Sequence, residues 1–591
     1  MSKHHTVANP RERKAPADIP LWMLFPLFFA AVYLTHITLL RLPYFWDEAG
    51  YYIPAAWDFY RTGSLIPQTT LTNAHPPLPS ILLAAWWQLS GFVVSGTRTL
   101  VVMITAAALL AVYKLGRSLL GTPAAIVLVV LTAIYPIWFA QSTLAHADIF
   151  AACFTLWGLA LYLDPRSEDQ ILASAMFSFA ALSKETAIVT PIALAFYEAT
   201  ALFSKRTEPK DRRYHTLWIA SLLSPIIPLA AWYAFHRYRT GFIFGNPEFF
   251  RYNATANLDP HRIALSLWHR LLHLLAHMNM FVPVVCAIAA LLIPVNESHS
   301  ERSATTPQNC HPERSGAAAE SKSLSRACRG SLHFLPRHTL AAILTVLVAN
   351  WIAFSILGGA LLTRYFLPMY PLVLLVCIAI WQRHLRQWVW LAALTGAAFL
   401  SGIWINPPYA FAPEDNLTYR DMIVLHQQAI HLIESRFPQA TVLSAWPATA
   451  EMSRPELGYI RTPLRTTQIE NFSFDEMQKA AADPGTYDTA LIFSTKWEPS
   501  VNRLNLGKPA EQSNTKYFDF HHDLTPQEAA ALLHGEIVWQ SHRKGEWAAV
   551  LRFPRAVEAR LTRPADTRVV ILSAAACPSR SRTGRIPVIS R

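Results

Sequence analysis

The placement of ionisable residues between long apolar segments constrains this chain more than any other feature. Apolar runs of about 18 residues or more, the length a helix needs to cross a bilayer, recur through the first two thirds of the sequence. Asp47, Asp148, Lys184 and Arg364 all stand at the ends of such runs. The last third is polar and lacks them. A membrane domain followed by a soluble domain is therefore the simplest arrangement.

Composition agrees with this division. The chain has 591 residues, of which 52% are hydrophobic and 15% charged, outside the range of ordinary soluble domains. The formal charge of +12 comes largely from short basic loops beside apolar segments, where such residues set topology and meet anionic lipid. We therefore expect membrane lipid and no nucleic acid as a partner. Six cysteines show no metal-ligand spacing and imply no disulfide framework.

The hydropathy pattern predicts a polytopic α-helical membrane protein with about eleven spans. The first apolar run follows a basic stretch and is too long for a signal-peptide core, so we interpret it as a retained anchor. With an inside N-terminus, the basic clusters after the second, sixth and tenth spans all fall inside. The predicted spans are 20–40, 99–117, 122–141, 148–164, 170–184, 186–204, 216–236, 271–294, 339–360, 365–382 and 388–405.

Two segments decide whether this threading is consistent. Counting the apolar stretch 78–94 as a span would invert every later loop, so we predict a juxtamembrane interfacial or re-entrant helix in the first outer loop. The loop 237–270 is the exception, because it carries basic residues such as Arg262 and Arg270 on the outer side. Either the threading is wrong there, or the loop contacts an anionic lipid headgroup.

The domain boundaries follow from composition. We expect a cytoplasmic basic N-terminus at 1–19, a membrane domain at 20–405 with a disordered cytoplasmic insertion at 295–338, and a poorly ordered tail at 556–591. An odd span count places the mixed α/β domain at 406–555 outside the cytoplasm. Its predicted elements are a helix at Asp421–Phe437, strands at Thr441–Trp446 and Thr489–Ser494, and a hairpin at 536–553 around Lys544-Gly545.

The first outer loop is the strongest candidate for chemistry. Asp47-Glu48 follows three aromatic residues just past the first span. A carboxylate partly desolvated at the membrane surface is a candidate general base, although an Asp there could also simply cap a helix. The loop ends at His75, which precedes Pro76-Pro77 and is either a site residue or an ordinary loop histidine.

Further candidates stand at the outer ends of later spans. Asp148 is either a site carboxylate or a first-turn residue favoured by the helix dipole. Lys184 either binds a phosphate or forms a self-neutralising pair with Glu185. Arg364 can clamp phosphate with its fork of donors, and Tyr365 either adds a donor or is an interfacial belt residue. Arg98 shares this face with them.

These groups together favour sugar transfer from a lipid phosphate. Nucleotide-activated donors are absent outside the cytoplasm, and the loop has neither a Gly-rich phosphate cradle nor a Ser/His/Asp arrangement. Asp47 would take the acceptor proton, while Lys184 and Arg364, assisted by Arg98, would stabilise the departing phosphate. A single base predicts inversion. A divalent metal stays open, because Asp47, Glu48 and His75 could hold one but lack diagnostic spacing.

At these residues the chain resembles the membrane-embedded glycosyltransferases of the GT-C type. It is most similar to the bacterial branch of the dolichyl-phosphate-mannose–protein mannosyltransferase family, which includes the aminoarabinose transferase of lipid A. The resemblance covers about residues 20–405 and, more loosely, the region around Trp446-Pro447 and Gly458-Tyr459. The motifs that carry it are Trp46-Asp47-Glu48, His75-Pro76-Pro77-Leu78, Arg98, Ala145-x-x-Asp148, Ser183-Lys184-Glu185-Thr186, and Arg364-Tyr365 with Pro368 and Pro371.

The resemblance implies a GT-C fold, a polyprenyl-phosphate sugar donor, inversion, and a bacterial-type inner membrane. It implies Asp47 as the main catalytic carboxylate and Glu48 and Asp148 as supporting acids. Lys184, Arg364 and Tyr365, with Arg98 and His75, would lie at the donor phosphate. Aminoarabinose transferases carry Glu-Lys where this chain has Ala74-His75, so their metal binding and lipid A specificity are not carried over. The acceptor is left open among protein, lipid and glycan.

Two other classes compete with this interpretation. A transporter or flippase of a lipid-linked or anionic substrate would usually show internal repeats and charges near mid-span, whereas here the charges stand at span ends. A membrane-anchored sensor, whose outer domain did the work, would leave the loop of Asp47, Glu48 and His75 unexplained.

Overall fold

The computed structural model describes residues 20–70, 72–164, 169–202, 209–245, 258–293, 335–357, 360–499, 508–518 and 520–553. Helices form the first part of the chain, and a five-stranded sheet with helices forms the last part. This bears out the predicted combination of a mainly helical part and a C-terminal mixed α/β part. The predicted N-terminus 1–19, most of the insertion 295–338 and the tail 556–591 lie outside the described residues.

The helices of the first part begin at apolar segments, and several carry a proline in their first turn, where the missing N–H costs no hydrogen bond. They are α1 (Leu21–Thr35), α2 (Ile53–Thr62), α3 (Leu78–Ser90), α4 (Val94–Leu120), α5 (Thr122–Ile134), α6 (Pro136–Gln141), α7 (Ala147–Tyr162), α8 (Gln170–Ser183), α9 (Val189–Leu202), α10 (Pro209–Leu223), α11 (Ile226–Thr240), α12 (Pro260–Leu275), α13 (Phe281–Leu291), α14 (Arg337–Ile356), α15 (Tyr370–His384) and α16 (Val389–Trp404).

Three helices in the described ranges are long and apolar enough to cross a membrane: Val94–Leu120, Asp211–Thr240 and Arg337–Ile356. The pair Pro260–Asn279 and Phe281–Leu291, bent by 97°, would add a fourth if it formed one span. Six further apolar helices at predicted span positions have only 10–17 residues. The predicted number of about eleven spans is therefore not confirmed and stays a prediction.

The stretch 78–94 forms the 13-residue helix α3, which ends at Gly91 with a positive φ of 71°. Its length of about 20 Å is less than the hydrocarbon thickness of about 30 Å. The helix packs against α2 and the start of α4. Helices at predicted span positions, such as α5, are equally short, so the juxtamembrane position of α3 stays a prediction.

The segment of the predicted span 271–294 is not one straight helix, and whether it crosses the membrane stays a prediction. Helix α12 already begins at Pro260, where the Asp259 carboxylate accepts hydrogen bonds from two backbone N–H groups of the first turn. The chain then bends sharply at Met278 and Asn279, which have φ values of 46° and 67°. Two consecutive left-handed residues cannot continue an α-helix, so α12 and α13 meet at a sharp bend.

Helices α4 and α7 pack against each other at the centre of the helical part. Helix α4 also packs against α1 and α5, and α7 also packs against α8. Close approach is possible where a small residue faces an aromatic ring. At Gly158 of α7, a Cβ would lie only 2.6 Å from the ring of Phe177 on α8. In lipid there is no hydrophobic driving force between helices. Small residues at such positions let two helices approach closely, so that van der Waals packing can hold them together. This packing fixes α7, whose first turn carries Asp148, against α8.

The predicted elements of the last part are confirmed, with one strand added. The helix is Thr418–Arg436, the two strands are Thr441–Ala445 and Thr489–Phe493, and the hairpin turns at Lys544-Gly545. The strand Arg465–Ile469 was missed because its polar residues do not alternate. In chain order the elements are α17 (Thr418–Arg436), β1 (Thr441–Ala445), α18 (Ala448–Ser453), β2 (Arg465–Ile469), α19 (Phe474–Ala481), β3 (Thr489–Phe493), α20 (Lys508–Phe518), α21 (Pro526–Leu533), β4 (Glu536–Arg543) and β5 (Glu546–Arg552).

The sheet has the order β2-β1-β3-β5-β4. The first three strands are parallel, and β5 pairs antiparallel with both β3 and β4. Because β1 and β3 are buried on both faces and lie between other strands, their short apolar segments were recognisable in the sequence.

The sheet domain packs on residues 41–77, the predicted first outer loop. Trp446, directly after β1, lies edge-on to Trp46 with ring centroids 4.9 Å apart. The backbone N–H of Tyr44 donates to the Leu457 carbonyl at 3.2 Å. The Arg454 guanidinium donates to the Thr69 carbonyl at 2.6 Å. These contacts fix the loop that carries Asp47 against a rigid domain.

Candidate functional site

The loop after α1 carries Asp47 at the end of the helical part that packs against the sheet domain. Trp46, the preceding residue, has a φ of 50°, an uncommon conformation for a bulky side chain. The Asp47 carboxylate contacts the guanidinium of Arg364, 317 residues away in the sequence. The Asp47 side chain keeps 33% of its surface exposed, so it can meet a substrate from outside.

Arg364 is the centre of the site. It lies in the short helical turn Thr363–Phe366, just before α15. Its Nη2 donates to Asp47, and its Nη1 donates to both carboxylate oxygens of Glu414 at 2.5 Å. Its Nε lies 3.3 Å from Oδ2 of Asp148. Three carboxylates from distant parts of the chain therefore surround one buried guanidinium.

Asp148 connects this arginine to a second cation. Lys184 Nζ donates to Asp148 Oδ1 at 2.5 Å, and it also lies 3.8 Å from the ring centre of Tyr365. Asp148 is in the first turn of α7, yet its side chain caps no backbone group. The carboxylate therefore belongs to the charged cluster, and it also lies in the first turn of α7, where the helix dipole favours it, so both predicted alternatives fit its position.

His75 and Glu185 form a second ion pair beside this cluster, with 3.0 Å between Nδ1 and Oε2. Burial by itself would raise the pKa of Glu185, but His75 in contact with it lowers that pKa to about 2. The His75 ring stacks on Tyr52 with centroids 5.9 Å apart. Lys184 and Glu185 thus bond to separate partners, and the self-neutralising pair considered from the sequence is not formed.

Glu48 and Arg98 are placed differently from their predicted roles. Both are buried, with 0% and 1% exposure, and their side chains pair at 2.7 Å. Glu48 also accepts hydrogen bonds from the backbone of Phe45 and Ala145, and Arg98 donates to three carbonyl groups. This pair ties the first outer loop to α4 and to the loop before α7. Its contacts indicate a structural role rather than a supporting acid and a phosphate ligand.

Glu414 is the site residue that the sequence did not reveal. It lies in the turn Pro413–Asp415, after the last predicted span, and is 3% exposed. Burial, together with the nearby carboxylates of Asp47, Asp415 and Asp148, outweighs the effect of Arg364 and raises the pKa of Glu414 to about 8. The sequence signal that could have revealed it is the adjacent acids Glu414-Asp415, which come soon after the last predicted span.

Arg270 is the second unexpected neighbour. It is fully buried in α12, where its guanidinium donates to the carbonyl groups of Leu362 at 2.5 Å and Ala360 at 3.0 Å. It also lies 5.2 Å from the Tyr365 ring centre. Arg262 is likewise buried and bonds to the Tyr517 carbonyl. Both arginines are thus buried and bonded to backbone carbonyl groups, and Arg270 supports the backbone that leads to Arg364.

A small cavity of about 20 Å³ opens at the charged cluster. Asp148, Lys184, Arg364 and Tyr365 line its polar end, and further lining residues come from α7, α9 and α14. Its volume suits about one water molecule. Within the ranges that the structure describes, no group of three or more His, Cys, Asp or Glu residues is arranged to hold a metal ion. The three carboxylates of the cluster face the guanidinium of Arg364 instead.

Residues 74–232 of the chain match the model of a known protein family. The family model "Dolichyl-phosphate-mannose-protein mannosyltransferase" matches residues 74–232, which include His75, Arg98, Asp148 and Lys184. This match confirms the family resemblance predicted from the sequence. No curated protein sequence matches the chain.

Solved structures align with the chain at low identity. ArnT from Cupriavidus metallidurans bound to undecaprenyl phosphate is 13% identical, with 90% of this chain and 97% of that chain covered and a TM-score of 0.48. The Archaeoglobus fulgidus oligosaccharyltransferase in complex with Zn and sulfate is 12% identical, with 80% and 68% covered and a TM-score of 0.43.

Proposed function

We propose that this chain is an inverting glycosyltransferase that moves a hexosyl or pentosyl group from a polyprenyl-phosphate donor to an acceptor hydroxyl. The reaction would take place at the outer face of a bacterial-type inner membrane, where the domain after residue 405 also lies. The acceptor is a hydroxyl of a lipid, glycan or protein. The observation that carries the proposal is the contact of the partly exposed Asp47 with Arg364, beside the Asp148–Lys184 pair.

The family match supports the reaction class. The matched model describes mannosyl transfer from dolichyl phosphate, and its segment contains Asp148 and Lys184. The structure brings these two residues to Asp47 and Arg364, which lie outside the matched segment. A carboxylate and two cations at one place are the groups that transfer from a phosphate carrier requires.

Asp47 is suited to act as the base. Of the three carboxylates around Arg364 it has the most exposed side chain, at 33%, against 2% for Asp148 and 4% for Glu414. Its carboxylate would accept the proton of the acceptor hydroxyl as the hydroxyl oxygen bonds to the anomeric carbon. Attack from the face opposite the phosphate inverts the configuration at that carbon.

The cations serve the leaving group. When the bond between the anomeric carbon and the phosphate oxygen breaks, the electron pair stays on the polyprenyl phosphate. Arg364 and Lys184 are positioned to stabilise that charge in a water-poor site, where such interactions are stronger than in bulk water. Tyr365 lies against Lys184 and restricts where its ammonium group can move.

The substitution Asp47→Asn tests the proposal. It removes the base and keeps the shape of the side chain, so we expect turnover of polyprenyl-phosphate sugar to fall about 10²–10⁴-fold. The measurement is release of polyprenyl phosphate by the purified full chain in nanodiscs supplied with membrane lipid extract. Native mass spectrometry of the inactive variant should show a retained donor lipid and identify its sugar.

Asp475→Asn is the matched control, because Asp475 is exposed in α19 of the sheet domain. It should leave turnover and the melting temperature unchanged. Equal turnover by wild type and Asp47→Asn would contradict the assignment of the base. A transporter or flippase would move lipid-linked sugar without releasing polyprenyl phosphate in either protein.

A further inference from the structure

The charged cluster carries more negative than positive groups. Three carboxylates, from Asp47, Asp148 and Glu414, face two cations, Arg364 and Lys184. With all groups ionised, the cluster has a net charge of −1. A site of this charge would repel a lipid phosphate, so one negative charge has to be removed before an anion can enter.

The two terminal nitrogens of Arg364, Nη1 and Nη2, already donate to carboxylates. Its Nη1 is shared between both oxygens of Glu414, and its Nη2 donates to Asp47. Both oxygens of Glu414 accept from Nη1, so a phosphate can take two hydrogen bonds from that nitrogen only after the carboxylate has moved away. The Glu414 carboxylate holds the place that the phosphate would take.

Glu414 is the carboxylate that can most readily give up its charge. Asp148 has Lys184 as a second cation, and Asp47 is partly hydrated. Glu414 is almost fully buried, and in the described part of the chain its one contacting cation is Arg364. The other charged groups that face it are Asp47, Asp148 and its neighbour Asp415, which pairs with His277 at 2.8 Å. The acids around it favour its neutral form.

We infer that Glu414 is a proton-controlled positioning residue, which holds Arg364 in the empty enzyme and releases it to the lipid phosphate on taking up one proton. The carboxylate accepts that proton from water on the outer side and becomes a neutral acid. Arg364 then exchanges Glu414 for two phosphate oxygens. When the polyprenyl phosphate leaves at a pH above the pKa of Glu414, about 8, Glu414 loses the proton to water and its carboxylate binds Arg364 again.

This inference rests on the proposed function, since it assumes that a polyprenyl phosphate binds at Arg364. It adds a residue from the sheet-domain side of the chain to the donor site. It also predicts the direction of the pH dependence. Glu414 has a pKa of about 8, so phosphate affinity should be highest below that pH and fall above it.

The experiment measures binding of a short-chain polyprenyl phosphate to the full-length protein in nanodiscs between pH 7.5 and 9.5. The second ionisation of the ligand, near pH 6, is complete in this range. In the wild type we expect the dissociation constant to rise by up to about tenfold for each pH unit above 8, because binding then requires one proton. Calorimetry in buffers of different ionisation enthalpy should show uptake of about one proton at pH 9.

The variant Glu414→Gln should bind several-fold more tightly at pH 9, with no slope above pH 8 and no proton uptake. Glu546→Gln is the matched control, because Glu546 is also buried, and its pKa is also raised to about 8, but it lies in β5 away from Arg364. This control should keep the wild-type slope. Glu414→Asp keeps the carboxylate and should also keep a slope.

Three results would overturn the inference while leaving the proposed function standing. They are an unchanged slope in Glu414→Gln, loss of binding in a Glu414→Gln protein that melts like wild type, and a slope that disappears in Glu546→Gln. If the wild type binds no polyprenyl phosphate at any pH, the proposed function itself fails.

Discussion

At the scale of single residues, the site depends on the conformation of the loop around Asp47. Trp46 adopts a left-handed conformation and packs on Trp446, and this turns the Asp47 carboxylate toward Arg364. Gly50 lies three residues further on, and a Cβ there would be 2.7 Å from the Trp446 ring. Because glycine has only a hydrogen as its side chain, the Trp446 ring of the sheet domain can pack directly on the backbone of this loop.

The substitution Gly50→Ala should displace either the loop or the Trp446 ring, at a cost of about 1–3 kcal/mol. Because Asp47 would move with the loop, we expect turnover to drop about tenfold or more, measured in the same polyprenyl phosphate release assay. Gly485→Ala is the control, since a Cβ there meets nothing within 4 Å. Wild-type turnover in Gly50→Ala would show that Trp446 does not set the loop.

At the scale of elements, three short turns hold the site residues where longer helices end. The turn Thr363–Phe366 carries Arg364, Pro413–Asp415 carries Glu414, and His277–Asn279 forms the bend between α12 and α13. Asp415 joins all three, because it accepts from the Thr363 hydroxyl and pairs with His277. The cluster is therefore positioned by irregular backbone buried in protein, where its polar groups find partners.

The helix α3 allows a test of topology at the same scale. If α3 lies at the outer interface, Thr62→Cys before it and Ser95→Cys after it should both react with a membrane-impermeant maleimide added outside intact cells. Both positions are exposed in the structure. The background protein would carry alanine in place of its six cysteines.

Thr122→Cys, at the other end of α4, is the control for this experiment. It is predicted to face the cytoplasm and should react only after permeabilisation. Labelling of just one of positions 62 and 95 would mean that α3 crosses the membrane. The inside and outside assignments of every later loop would then be reversed.

At the scale of the whole molecule, stability should depend on pH through buried carboxyl groups of the sheet domain. Glu546 is 0% exposed, with Ser494 donating to one of its oxygens. Burial, with Asp523, Asp421 and Glu498 nearby, outweighs that hydrogen bond and raises the pKa of Glu546 to about 8, from 4.5. Between these values the folded state keeps a proton that the unfolded chain loses, and Glu414 acts with the same sign.

The contribution of Glu546 is therefore complete below pH 4.5 and is lost as the pH rises through about 8. It amounts to a few kcal/mol, so the melting temperature should fall by a few degrees between pH 6 and 8.5. Glu546→Gln should flatten part of this decline, as measured by thermal unfolding in detergent. The control is Glu476→Gln, which removes an ion pair with the exposed Lys479 and should not flatten the decline. An unchanged decline in Glu546→Gln would contradict the assignment.

The sequence predicted much of the fold because its signals are local. Hydropathy located the apolar helices, and alternating or continuous apolar runs located β1, β3 and the β4–β5 hairpin. The bend at Met278 and the strand β2 were not predictable, since no local pattern marks a left-handed pair of ordinary residues or a polar strand. The number of spans stays a prediction, because many helices are shorter than a bilayer is thick.

By itself the sequence determined that Asp47, Asp148, Lys184 and Arg364 would share one face, because charges are excluded from hydrocarbon and collect where apolar helices end. Only the tertiary structure decided which carboxylate meets which cation. Glu48 and Glu414 each lie 50 residues from the arginine they bind. The Glu48–Arg98 pair is nevertheless enclosed in backbone contacts, whereas the Glu414–Arg364 pair lies in the site. The energy of an ion pair depends on distance and burial in three dimensions, and sequence spacing encodes neither.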